Sequence, residues 1–218
     1  VLAVAESPGA EETRFGRPMV GQSGNEWNSG LAAAGKRRPD VDLTHTFLCQ
    51  PPGQVAGAFS RMTKRIDREN KSRAKRSMEP WPTPVTCCRP ALTELASKYP
   101  NIITLGKVAT AALTSRSQSI QATRGGSVTQ HEPTYKVMPM LHPSFIVRSP
   151  GWRSVFISDI AKAFRFFENR LNWEEPHTLW RPTPEQLEQW LAQPAPFWAY
   201  DVETDGIEPL ECAVRCVG

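Results

Sequence analysis

Short apolar runs alternate with helix-periodic segments along most of this chain, and that alternation constrains its fold more than any other feature. Residues 1–5, 44–48, 101–105 and 135–141 are brief, apolar and bounded by Gly, Pro or polar residues, as buried parallel strands are. Between them Trp27, Leu31 and Ala34 share one face of a helix that Gly35 stops. Leu92 and Leu95 mark a helix near 90–98, and a helix led by Gly106 runs to about Leu113. Phe156, Ile160, Phe164, Phe167 and Leu171 recur at helical spacing, which predicts an amphipathic covering helix over 154–171. Together these elements predict an α/β fold over residues 1–171, three layers (α/β/α) around a central four-stranded parallel sheet.

With 218 residues, 39% hydrophobic and 22% charged, the chain can bury one substantial core and has room for a second, smaller unit. No apolar run approaches the ~18–20 residues of a membrane span, and no signal-peptide pattern opens the chain, so no membrane partner and an intracellular, cytoplasmic setting are expected. Five cysteines, an odd number without an export signal, argue against a disulfide framework and leave metal or cluster ligation open. The 20 prolines fall between periodic segments and punctuate a loop-rich fold.

The net charge of +4 is concentrated in one place: residues 61–76 (RMTKRIDRENKSRAKR) hold eight Lys/Arg and two acids. This run, with Lys64, Arg65, Arg73, Lys75 and Arg76, sits in a long insertion at 53–84 that shows no core-forming period. It is either a solvated loop or a nucleic-acid contact. Beyond 171 a polar bridge leads to a helix start, with Thr183 as N-cap, Pro184 in the first turn and Gln186 three residues after the cap. Residues 172–196 are expected to be a linker with that short helix, and 197–218 to begin a new domain. The chain opens at Val1 inside an apolar run and stops at Gly218 soon after a strand-like run begins. The expectation is a piece of a longer polypeptide.

Three polar clusters fall at or beyond the ends of the expected strands, where an open parallel sheet binds its ligands. The first is AESPGAEE (Glu6, Ser7, Pro8, Gly9, Glu12) followed by GRPMVG with Met19. The second is THTFLCQPP with His45 and Cys49, and the third is LHPSF with His142 and Ser144. A Pro-Gly turn exposes backbone N–H groups, and carboxylates beside it can orient a water or stabilise a cation.

Taken in order, AESPGAEE, GRPMVGQSG, THTFLCQPP, CCRPAL, ITLG, TRGG and LHPSF resemble the uracil-DNA glycosylase superfamily, most closely its iron–sulfur, family 4-like branch. The resemblance spans residues 1 to about 171. It implies hydrolysis of the N-glycosidic bond of uracil, or another deaminated base, in DNA, with the base taken out of the stack. It implies that Glu6 positions water or stabilises a cation-like sugar, that Glu12 supports it, and that His142 donates a hydrogen bond to the departing base. Ser7, Pro8, Gly9, Met19, His45 and Ser144 would contact the substrate, and Arg124 and Arg148 would join the basic run in binding DNA. Cys49 and Cys88 match two of the four thiolate ligands of a 4Fe–4S cluster, with Cys87 a less well-aligned neighbour. The chain departs from the family at three positions: His45 replaces a uracil-reading Asn, Met19 a base-stacking Phe, and Leu48 a Lys.

The string Asp201-Val202-Glu203-Thr204-Asp205-Gly206 places two carboxylates on one face of a strand. It resembles the first motif of DEDD-type 3′–5′ exonucleases, which implies an incomplete RNase H-like domain whose Asp201 and Glu203 would hold Mg or Mn. A glycosylase-like domain ahead of such an exonuclease resembles the front end of a fused A-family DNA polymerase, whose exonuclease and polymerase domains would follow in a bacterial or phage parent chain. The expectation is therefore a monomeric, DNA-acting enzyme. The alternative is a catalytically degenerate glycosylase fold retained as a DNA-binding module.

Overall fold

The computed structural model describes residues 1–54, 57–114, 119–131, 134–171, 182–194, 202–204 and 214–217. The chain divides into two compact units, Val1–Asn172 and Trp173–Gly218.

The first unit is built on strands β1 (Leu2–Ala5), β2 (Asp42–His45), β3 (Asn101–Leu105), β4 (Val128–His131) and β5 (Thr134–Met140). They form one sheet in the order β2-β1-β3-β5-β4, parallel except for β4, which pairs antiparallel with β5. Three of the parallel strands, β1, β3 and β5, stand where the apolar runs predict them; β2 lies at Asp42–His45 and not at the expected 44–48, because the strand ends where its chain turns into the loop carrying Phe47. The fifth, an antiparallel edge strand, is a correction to the expected four: β4 (VTQH) is short and mostly polar, and only its hairpin partner holds it in the sheet.

Side chains on successive strand residues point to opposite faces, and the core divides accordingly. Ala3, Ala5, Ile103, Leu105, Met138 and Met140 face one layer, with Trp27, Leu31, Phe156 and Ile160 packed against them. These come from helices α2 (Gln22–Ala33) and α8 (Arg153–Phe167); α7 (Pro143–Arg148) adds Ile146 to the same cluster, and the short α1 (Ala10–Phe15) buries no residue. Leu2, Val4, Ile102, Tyr135 and Val137 face the other layer. There they meet α4 (Pro84–Ala96) and α5 (Lys107–Thr114), with a short α6 (Ile120–Thr123) leading into β4. The α/β/α sandwich is thus dictated by the central strands β1, β3 and β5, which are apolar on both faces.

The insertion differs from its expectation. Residues Ala58–Lys75 form an 18-residue helix, α3, which packs on α4. A core-type period is present but thin: Phe59, Met62 and Ile66 lie on one side, and Phe59 stacks on Phe47 with ring centroids 4.6 Å apart. Beyond α3 the chain is stapled back. The Asn70 amide bonds both the carbonyl and the N–H of Trp81 (2.8 and 2.7 Å), and Arg73 donates to the Glu79 carbonyl while stacking over the Trp81 ring. Two part-buried ion pairs hold α8 to its neighbours, Arg124 with Asp159 and Arg153 with Glu26 of α2.

The second unit contains helix α9 (Pro184–Leu191), capped by Thr183 and Gln186 as the sequence predicts, and an antiparallel pair, β6 (Val202–Thr204) and β7 (Val214–Val217). Asp201 lies outside the described residues, and of Glu203 only the strand backbone is described. Among the described residues no helix is long and apolar enough to cross a membrane.

Candidate functional site

The sheet order places β1 between β2 and β3, so the chain leaves β1 on one side and later returns on the other. At such a switch point the loops beyond the carboxyl ends of adjacent strands diverge and open a crevice. The segments that follow β1, β2, β3 and β5 all meet there. A cavity of about 430 Å³ is lined by Glu6 to Gly9 after β1, Gly106 and Lys107 after β3, and His142, Ser144 and Arg148 after β5. A neighbouring cavity of about 410 Å³ is lined by Glu12, Arg17, His45 and Leu48, and shares Pro8 and Gln50 with the first.

Glu12 holds the first loop in shape. One carboxylate oxygen accepts the Gly9 N–H (3.1 Å) and the other the Val20 N–H (3.2 Å), tying the start of α1 to the strap that leads into α2. Met19, within that strap, has φ +53 and is 5% exposed, packed into the core beneath the sheet. A Cβ on Gly24 would come within 2.0 Å of the Met19 carbonyl oxygen, so the strap can lie this close to α2 only because residue 24 is glycine. The Met19 side chain is therefore a buried apolar support; it also borders a third cavity with Arg17 and Arg38.

His142 is the N-cap of α7. Its Nδ1 accepts the Ser144 N–H (3.1 Å) and lies 2.8 Å from the Ser144 hydroxyl. A backbone N–H can only donate, so Nδ1 is an acceptor and the neutral ring carries its proton on Nε2. Burial pushes the His142 pKa down to about 4, helped by the nearby His45 and Arg148 and opposed by Glu12. His45, at the end of β2, is likewise pushed by burial to about 4, again opposed by Glu12. Both imidazoles are neutral at pH 7. Gly106 (φ +88) lies against His142; a Cβ there would stand 3.3 Å from the His142 Cβ. Burial raises the Glu6 carboxyl, while a hydrogen bond from the Gly57 N–H, at the start of α3, lowers it.

Of the expected DNA contacts, Arg148 lines the cavity beside His142. Arg124 is turned elsewhere: its Nη1 bonds both oxygens of the buried Asp159 (2.7 and 2.8 Å), so its guanidinium holds α6 to α8. Lys64, Arg65, Lys75 and Arg76 are exposed, and none forms an ion pair with a described acid; Arg73 is spent on the Glu79 and Trp81 staple. Lys107, Gln50 and Gly57 were not singled out by sequence. Lys107 carried a usable signal, as the second residue past a strand end in the crevice, whereas Gly57 is brought to Glu6 only by the fold of the insertion.

Cys49, Cys87 and Cys88 are free thiols that line a single apolar cavity of about 260 Å³ with Phe47, Phe59 and Met62. Soft thiolates in an apolar wall suit an iron–sulfur cluster in donor type. Among the described residues no three His, Cys, Asp or Glu side chains are grouped closely enough to hold a metal ion, so these cysteines do not by themselves make a complete metal site.

Comparison with known proteins gives a consistent pattern. The family model described as the uracil DNA glycosylase superfamily matches residues 1–172. Type-4 uracil-DNA glycosylases are similar over the same region. The protein from Thermotoga maritima is 29% identical over 175 residues, covering 77% of this chain and 78% of the relative. That from Pyrobaculum aerophilum is 28% identical over 172 residues (75% and 76%), and that from Archaeoglobus fulgidus 26% over 170 residues (74% of each).

Proposed function

The chain belongs to the uracil-DNA glycosylase superfamily, and from that premise we propose that its first unit excises uracil, or another deaminated base, from DNA by hydrolysing the N-glycosidic bond. One observation carries the proposal: a carboxylate, Glu6, and a neutral imidazole, His142, line one cavity at the switch point of the sheet. Breaking the bond leaves positive charge on the sugar and negative charge on the base. Glu6 stabilises the first and can orient the attacking water. The Nε2–H of His142 stabilises the second, as a preorganised donor that needs no proton transfer. Lys107 and Arg148 add positive potential around the same cavity.

His45 stands in the neighbouring cavity as the base-reading group. Neutral imidazole offers one donor and one acceptor on diverging sides of the ring, so it reads one position of a base edge where an amide reads two. Cys49 and Cys88, with Cys87 beside them, would supply part of the ligand set of a 4Fe–4S cluster, whose contribution when bound is to tie β2 and α4 together behind the site. For the second unit, the DVETDG string supports the beginning of a metal-dependent 3′–5′ exonuclease.

Single-turnover excision from a single-stranded oligonucleotide bearing one uracil tests the proposal. His142→Ala removes one preorganised donor and is expected to lower the rate about 10²–10³-fold. Equal rates for wild type and variant would overturn the role given to His142. A folded protein that binds the strand and never cleaves the bond would favour the degenerate DNA-binding module instead.

A further inference from the structure

Helix α3 divides sharply into two faces. Phe59, Met62 and Ile66 turn inward, and Asn70 and Arg73 on the same side are used by the staple to Trp81. At 3.6 residues per turn, Arg61, Lys64, Arg65, Arg68, Lys71, Lys75 and the C-capping Arg76 fall within an arc of about 140° on the opposite side. Asp67 and Glu69 lie at the edges of that arc. All seven cations are exposed, and none forms an ion pair with a described acid. A helix that only needed solubility would intersperse opposite charges at i,i+4 spacing, which here are few.

The stripe also has a position. The backbone of Gly57, the N-cap of α3, lies near enough to the Glu6 carboxyl to lower its pKa, so the helix starts beside the cavity and its cations begin one turn later at Arg61. From Arg61 to Lys75 is about 21 Å at 1.5 Å per residue, the span of about six phosphates of one strand at 3.4 Å each.

We propose that the outer face of α3 is a phosphate-tracking surface that binds the DNA strand flanking the nucleotide held in the cavity. This rests on the excision reading for the identity of the polyanion. Packing of α3 on α4 and the staple to Trp81 form the helix before DNA arrives, so little of the binding is spent on ordering its backbone.

The test is the salt dependence of binding to a uracil-free single-stranded 25-mer, measured by fluorescence anisotropy, which needs no turnover. Each cation that neutralises a phosphate contributes about 0.7 to the slope of log K against log salt. Arg65→Gln, Arg68→Gln and Lys75→Gln combined should flatten the slope by about 2. A control with Arg37→Gln, Lys98→Gln and Arg165→Gln should leave it unchanged, with far-UV circular dichroism showing α3 retained in both proteins. An unchanged slope in the α3 variant, or equal flattening in the control, overturns the proposal. A flattened slope in a protein that releases no uracil sustains the surface and refutes the excision chemistry. Uracil release with an unaltered slope does the reverse.

Discussion

Acidification should destabilise this protein through His142, the buried ring proposed as the donor to the departing base. His142 has a pKa of about 4 in the folded chain against 6.5 unfolded, because burial penalises its charged form. A lowered folded pKa means that the unfolded chain binds more protons as pH falls. Stability is then fully present above 6.5 and is lost progressively down to about 4. Between pH 7 and pH 5, those two values correspond to a loss of about 2 kcal/mol for this one ring. His45, shifted to the same value, contributes a similar loss. Glu6 works in the opposite direction, since its raised carboxyl gains protons more readily when folded. Urea unfolding at pH 7 and pH 5, in wild type and in His142→Asn, isolates the ring, because every other group appears on both sides of the comparison. The wild type should lose about 2 kcal/mol more than the variant on going to pH 5. Identical losses would mean that His142 titrates near 6.5 in the folded chain. It would then be charged at mildly acidic pH, and the buried neutral donor would be refuted.

Other perturbations test the supports of the site. Gly106→Ala forces a Cβ onto a backbone at φ +88, against His142, and should cost about 1–2 kcal/mol in unfolding free energy while slowing excision; unchanged values for both would show that the β3 turn does not position the imidazole. Arg124→Ala strands Asp159, which is 4% exposed, and should destabilise the fold by about 3 kcal/mol, with DNA affinity of the folded protein little altered. A large loss of DNA affinity at unchanged stability would return Arg124 to the nucleic-acid surface.

β1, β3 and β5 were legible because each is apolar on both faces, the pattern of a strand buried between two helical layers, whereas β2 (DLTH), a half-exposed edge strand, lies two residues ahead of the apolar run expected to form it. The α9 start was legible from chemistry that acts within one turn, the Thr183 cap and its Gln186 partner. The edge strand β4 was not: a polar four-residue strand carries no periodic signal, and its pairing is enforced by the hairpin. Helix α3 was missed because only three apolar side chains, Phe59, Met62 and Ile66, mark its buried face, and the charge around them masks the period. At the site, Glu6, Glu12, His45, His142 and Ser144 could be picked out as polar residues at or just beyond strand ends. Their division of labour could not, since it depends on contacts across the sheet. Glu12 acts by clamping Gly9 and Val20, and Met19 supports the loop from inside the core. Arg124 illustrates the converse: an Arg-Gly pair gives no hint that its guanidinium is committed to a carboxylate 35 residues away.

The most direct test of the account is the identity of the product released from a single-stranded oligonucleotide that contains one uracil. Mass spectrometry of the reaction should find free uracil together with a strand carrying one abasic site. A thymine-containing strand of the same sequence should be left intact. An intact uracil strand after prolonged incubation with folded, DNA-bound protein would contradict the central claim that Glu6 and His142 form a glycosidic-bond-cleaving site.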